Sequence, residues 1–211
     1  MDNAIQPQTR SRVKNTWIVL ALTVIAISLI TVFGPTERTL GENLRLVVLH
    51  GAWVWTGKLL FAAAALAGLL GLILPKTRWS NLSLALGRTG LLFWLTYLPM
   101  SLLVQVQNWG GIFWDEPRWR VPFTFGVVGL LLQLGLWVLN QPRLTNLANL
   151  AFGITLWWQL GGITNILHPD SPIFGSGASG IQLFFIALLV LTLLVGVLIT
   201  RLVYRAQTPQ T

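Results

Sequence analysis

The sequence predicts an all-α integral membrane protein, a six-transmembrane-helix bundle with both termini cytoplasmic. Three observations predict it. Of 211 residues, 54% are hydrophobic and only 9% are charged, against about 25% charged in an ordinary soluble domain. Mean hydropathy is +0.69. The 14 Lys and Arg outnumber the 6 Asp and Glu, and they collect in alternate connections between the apolar runs, as membrane orientation requires. In a soluble protein such a charge would suggest nucleic acid; here it reports topology, and no nucleic-acid partner is expected.

A hydrocarbon core about 30 Å thick needs roughly 20 apolar residues in a helix, and six runs meet that need. Trp17–Phe33 carries no charge and stops at Gly34-Pro35. Leu46–Leu74 is rich in Ala, Leu and Gly and ends at Pro75. Leu82–Val106 contains Arg88 and Pro99 near its two ends. Val121–Leu139 ends at Asn140-Gln141-Pro142. Leu147–Leu167 is the weakest simple span, because Trp157-Trp158-Gln159 and Gly161-Gly162 occupy its second half. Ile181–Tyr204 is Leu, Val, Ile and Phe almost throughout until Arg201. The runs are continuous rather than alternating, which argues against a barrel. Arg10, Arg12 and Lys14 precede the first run, but it is longer than a signal-peptide core and no A-x-A-like site follows, so a retained helix is expected. The expected organisation is a cytoplasmic tail (1–15), one six-helix domain (16–205) with a Trp-rich outer loop (107–120), and a second tail (206–211).

Nine basic residues (Arg10, Arg12, Lys14, Lys76, Arg78, Arg88, Arg143, Arg201, Arg205) fall on one side. Four (Arg38, Arg45, Arg118, Arg120) fall on the other, with five of the six acidic residues. The first side is therefore expected in the cytoplasm. His50 and His168 both fall at the outer level, as do seven of eleven tryptophans: Trp53, Trp55, Trp109, Trp114, Trp119, Trp157 and Trp158. An aromatic belt would populate both interfaces more evenly. The sharper reading is a flat aromatic ligand held at the outer surface. Neutral imidazole is a good axial ligand for haem iron, and indoles offer broad apolar walls. Arg45, Arg118 and Arg120 are candidate partners for the propionates, since a planar guanidinium matches a carboxylate. Pairing with Glu42, Asp115 or Glu116, or simple solvation, is the competing reading. With no cysteine in the chain, haem would be non-covalent, of b type; iron–sulfur clusters and Cys-ligated zinc are excluded.

Four aromatics (Trp109, Phe113, Trp114, Trp119) lie within the segment joining the third and fourth spans. That segment is expected to lie on the membrane surface or to cover a ligand. Lys58 lies eight residues past His50, about 12 Å along the helix. A charge within a span is a functional candidate; snorkelling or a polar cavity would accommodate it.

Two segments carry a resemblance to a known group. The first runs Glu42-Asn43-Leu44-Arg45, then His50 five residues on and Trp55 five beyond that. The second is Trp109-Gly110-Gly111-Ile112-Phe113-Trp114-Asp115-Glu116-Pro117-Arg118. Together they resemble the haem exporter protein C branch of the WWD-domain family of cytochrome c assembly. The first segment keeps the family's Glu, Arg, His and Trp spacings but lacks its proline after the His. The second keeps the Trp-to-Arg distance, with Phe113 in place of one Trp and Trp114-Asp115 one position early. Trp157-Trp158 is similar to a Trp pair on the family's fifth helix; His168 follows ten residues after Trp158. The resemblance implies haem bound at the outer face of the cell inner membrane and presented to a periplasmic haem chaperone, alongside subunits of an ABC-type haem exporter. It implies His50 and His168 as axial ligands, and Trp55, Trp109, Phe113, Trp114, Asp115, Trp119 and Trp158 as haem contacts. The chain has no nucleotide-binding loop and no nucleophile–base pair or carboxylate dyad placed for catalysis, so no enzymatic activity of its own is expected. A single-haem electron-transfer cytochrome of b type and a ligand-free scaffold or transporter are the alternatives.

Overall fold

A computed structural model describes residues 7–74, 76–164 and 173–207. Among these residues six helices follow one another: α1 (Pro7–Val32), α2 (Asn43–Ile73), α3 (Thr77–Trp109), α4 (Pro117–Leu139), α5 (Pro142–Gly161) and α6 (Ser179–Gln207), with a single 3-10 turn, Phe174–Ser176, before α6. No strand occurs among the described residues. A lone bridge between Glu37 and Gly41 closes the α1–α2 turn. Among the described residues five helices, all but α5, are long and apolar enough to cross a membrane. In lipid every backbone polar group must be satisfied within the protein, and helices achieve that.

The ends of the helices correct three sequence-based boundaries. α1 starts at Pro7, so residues 7–15 of the expected tail are helical; Gln, Arg and Lys are good helix formers and extend the apolar run toward the N-terminus. α6 likewise includes residues 206 and 207. The irregular part of the tryptophan loop shrinks to Gly110–Glu116. Gly110 caps α3 at φ 73° in the left-handed region, where glycine carries no steric penalty. Pro117 opens α4 behind the extended Glu116 N-cap, the position where a missing N–H costs nothing.

α2 is the central element and packs against α3, α5 and α6, while α1 touches chiefly α6. One core cluster joins α2, α3 and α6 through Val48, Ala52, Leu60, Phe93, Phe185 and Leu188. A second joins α2, α3 and α5 through Phe61, Leu91, Trp94, Tyr97, Phe152 and Leu156.

Polar side chains stitch the helices together in the interior. Thr56 and Thr192 share a hydrogen bond of 2.8 Å between α2 and α6. Asn149 donates to Ser83 Oγ at 3.0 Å and accepts from Gln133 Nε2 at 2.9 Å, joining α5 to α3 and α4. Asn146 donates to Ser80 Oγ at 2.9 Å. Asn146 is seated against Gly68 and Gly71 of α2; a Cβ at Gly68 would stand 2.6 Å from the Asn146 carbonyl oxygen. Small residues thus let α2 and α5 approach, and amides bridge them, which is how helices associate where lipid is as apolar as the interior. This explains why α5 falls short in hydropathy: Asn146 and Asn149 are buried against its neighbours.

Candidate functional site

One face of α2 carries Val47, His50, Gly51, Val54 and Lys58, spaced three or four apart, and all five line one cavity. Spacings of three and four place residues on a single helix face. Leu44, Val48, Ala52, Thr56 and Leu60 alternate with them and are buried in the core, which fixes the rotation of α2.

The cavity measures about 480 Å³, within the usual range of about 300–1,000 Å³ for a small-molecule site. It lies at the end of the bundle that carries the tryptophan loop. The end of α3 contributes Tyr97, Ser101, Gln105 and Trp109; the start of α4 contributes Glu116, Arg118, Trp119 and Pro122. Leu160, Ile163, Ile173, Phe174 and Phe185 complete it.

His50 presents a buried Nε2, and its ring lies 5.3 Å from that of Tyr97. Tyr97 in turn meets Trp94 edge-on at 5.3 Å, and Trp94 Nε1 donates to the Pro122 carbonyl at 2.9 Å. The imidazole is therefore braced by a chain of rings ending in the start of α4. Lys58 Nζ lies 4.1 Å from the Trp55 ring centroid and 4.4 Å from that of Trp157. Trp157 Nε1 donates to the Lys58 carbonyl at 3.2 Å, so α5 clamps this segment of α2. Indole faces stabilise an ammonium by about 0.5–2 kcal/mol when it is partly desolvated. Lys58 is thus held at the cavity wall.

Hydrogen bonds hold the loop and the end of α3 that leads into it. Gln105 accepts from the Phe113 backbone N–H at 3.0 Å, and Asn43 donates to the Gln107 carbonyl at 3.2 Å. Trp119 is only 4% exposed; it stacks on Phe123 at 5.7 Å and meets Trp114 edge-on at 5.9 Å. Trp109 and Phe113 pair edge-on at 6.3 Å.

The structure therefore brings His50, Trp55, Trp109, Arg118 and Trp119 to one cavity. Phe113 and Trp114 buttress Trp109 and Trp119 from outside it. Four expected residues are placed elsewhere. Trp158 is 76% exposed: α5 buries Asn149, Phe152, Gly153 and Leu156, and Trp157 continues that face while Trp158 is rotated off it. Arg45 Nε donates to the Gly34 carbonyl at 2.9 Å, and its Nη1 lies 4.0 Å from Glu42, so it ties the α1–α2 turn. Arg120 and Asp115 lie 3.9 Å apart on the exposed surface of the loop. His168 lies outside the described residues. Tyr97, Glu116 and Trp157 were not expected at the site. Glu116 is only 7% exposed and caps α4, accepting from the Arg118 N–H at 3.5 Å. Trp157 was legible in part, since two adjacent tryptophans on a helix cannot share a face.

Among the described residues no group of three or more His, Asp or Glu is placed to hold a metal ion by itself. No protein-family model matches the chain, and no curated protein matches it.

Proposed function

We propose that this membrane protein binds haem non-covalently in the His50 cavity and presents it at the extracytoplasmic face of the cell inner membrane, as in cytochrome c maturation. One observation carries the reading: the one described histidine, the two cations Lys58 and Arg118 and four tryptophans from three helices converge on a single cavity. The donor set fits the group. A buried imidazole nitrogen suits iron, the Trp55, Trp109 and Trp119 indoles suit a flat macrocycle, and Lys58 and Arg118 suit two carboxylates.

Bound haem would supply a redox-active iron centre for delivery to an apocytochrome. The chain's own residues do the rest. His50, braced by Tyr97, lines the cavity as the axial ligand. Lys58 and Arg118 orient the acidic edge. Trp119 and the pinned loop exclude water from one side. Reversible handover calls for a site close to the surface, and the loop is the surface element over this one. His168 is the proposed second axial ligand. The proposed topology has α5 as a sixth span and both termini in the cytoplasm, since nine basic residues then lie inside. Proposed partners are a periplasmic haem chaperone and the subunits of an ABC-type haem exporter.

Absorption spectra of the detergent-purified protein titrated with haem test the reading. The wild type is expected to give a six-coordinate spectrum, His50→Ala to lose it, and added soluble apo-acceptor to withdraw the haem. Failure of the wild type to bind haem sinks the proposal. Binding without transfer to any acceptor would favour electron transfer instead.

A further inference from the structure

At the opposite end of the bundle a groove of about 530 Å³ opens between the first turns of α3 and the last turns of α6. Arg78, Arg201 and Tyr204 line it toward the helix ends, and Leu82, Leu86 and Val197 line it one to two turns deeper. The groove is thus cationic at its mouth and apolar along its length. Arg78 lies over the Trp79 ring at 5.0 Å, which presents the guanidinium at the mouth.

Two hydrogen-bond donors lining the groove lack a partner among the described residues. Thr200 is 7% exposed, and its Oγ1 is buried without a hydrogen bond; Trp79 Nε1 is buried in the same condition. A buried donor left unsatisfied is costly, so these two point to an acceptor beyond the described residues. No carboxylate of the described residues supplies it: Glu37, Glu42, Asp115 and Glu116 all belong to the tryptophan-loop end.

We propose that this groove is a specific site for one anionic phospholipid. Its phosphate accepts from Arg78, Arg201, Trp79 Nε1 and Thr200 Oγ1, and one acyl chain runs along Leu82, Leu86 and Val197. A free phosphate satisfies the first set of contacts but leaves the apolar length of the groove uncovered. Basic pockets between membrane helices favour acidic headgroups. The site is remote from the His50 cavity and does not depend on haem.

Native mass spectrometry of the full-length protein in neutral detergent tests it, with phosphatidylglycerol and phosphatidylcholine of matched chains. The wild type is expected to retain one phosphatidylglycerol selectively. Arg78→Gln combined with Arg201→Gln should weaken retention by about twenty- to thirtyfold, from two lost cations. Trp79→Phe and Thr200→Val keep shape and should each weaken it severalfold while helicity is unchanged. Arg143→Gln, at the same end but outside the groove, should leave it intact. Equal retention of phosphatidylcholine, or an equal loss with Arg143→Gln, overturns the proposal. Displacement of the lipid by millimolar inorganic phosphate also overturns it, in favour of a free-anion site.

Discussion

His50 and Lys58 stand about two turns apart on one face of α2 and open onto one cavity. Their neighbours separate them in role: His50 is braced by the tilted Tyr97 ring, whereas Lys58 is held between two indoles. Replacing Lys58 by Met should therefore weaken haem binding by about tenfold, the worth of one charge-assisted contact, without moving the iron spectrum. Arg118→Gln should act similarly. Arg45→Gln and Arg120→Gln should leave haem affinity unchanged, because both arginines are engaged away from the cavity; equal losses in all four titrations would refute the assignment. Glu37 shows a different residue-scale effect. Its carboxylate accepts from the N–H groups of Leu40 and Thr39 at 3.0 and 2.8 Å, and those bonds hold its pKa below the ordinary glutamate value. A lowered folded pKa stabilises above the unfolded value of about 4.3, and that stability is lost as pH falls through the folded value. Thermal unfolding in detergent at decreasing pH should show a shallower acid limb for Glu37→Gln than for wild type.

At the scale of the element, α2 and α5 depend on close approach. Gly68→Val would force a side chain against the Asn146 backbone and should cost about 1–3 kcal/mol or more, read as a lower midpoint of denaturation. Asn149→Leu removes a bond to Ser83 and a partner of Gln133. It should cost about 1–2 kcal/mol, as for other interhelical bonds in membranes. Retention of wild-type stability by both variants would mean that α5 is not held through this seam. The same seam positions Trp157 against Lys58, so either change should also lower haem affinity. α5 is also where sequence reasoning met its limit. Its asparagines lower the apolar count, yet they face inward, so composition understates how fully it belongs to the bundle.

On the scale of the whole molecule, the tryptophan loop and the basic groove occupy opposite ends of one bundle. The absence of cysteine from the chain makes single-cysteine labelling clean. Trp114→Cys should react with an impermeant maleimide added to the outside of intact spheroplasts, and Lys76→Cys only after lysis. The reverse pattern would invert the topology. α1 is mostly exposed, with Trp17, Leu22, Ile25 and Leu29 all on its surface, so it should exchange hydrogen faster than α2 once extracted.

The sequence by itself determined the helices, their number and their approximate ends, because hydrocarbon demands long apolar helices and tolerates few charges. It also marked the end at which His50 and the tryptophans gather. Tertiary structure alone decided which side chains meet. In a membrane both lipid and interior are apolar, so most of these helices show no polar stripe to reveal which face turns inward. Packing chose Trp157 over Trp158, turned Arg45 to the α1–α2 turn, and set Lys58 between two indoles. The rotation of each helix depends on its neighbours, and no spacing along a single run records it.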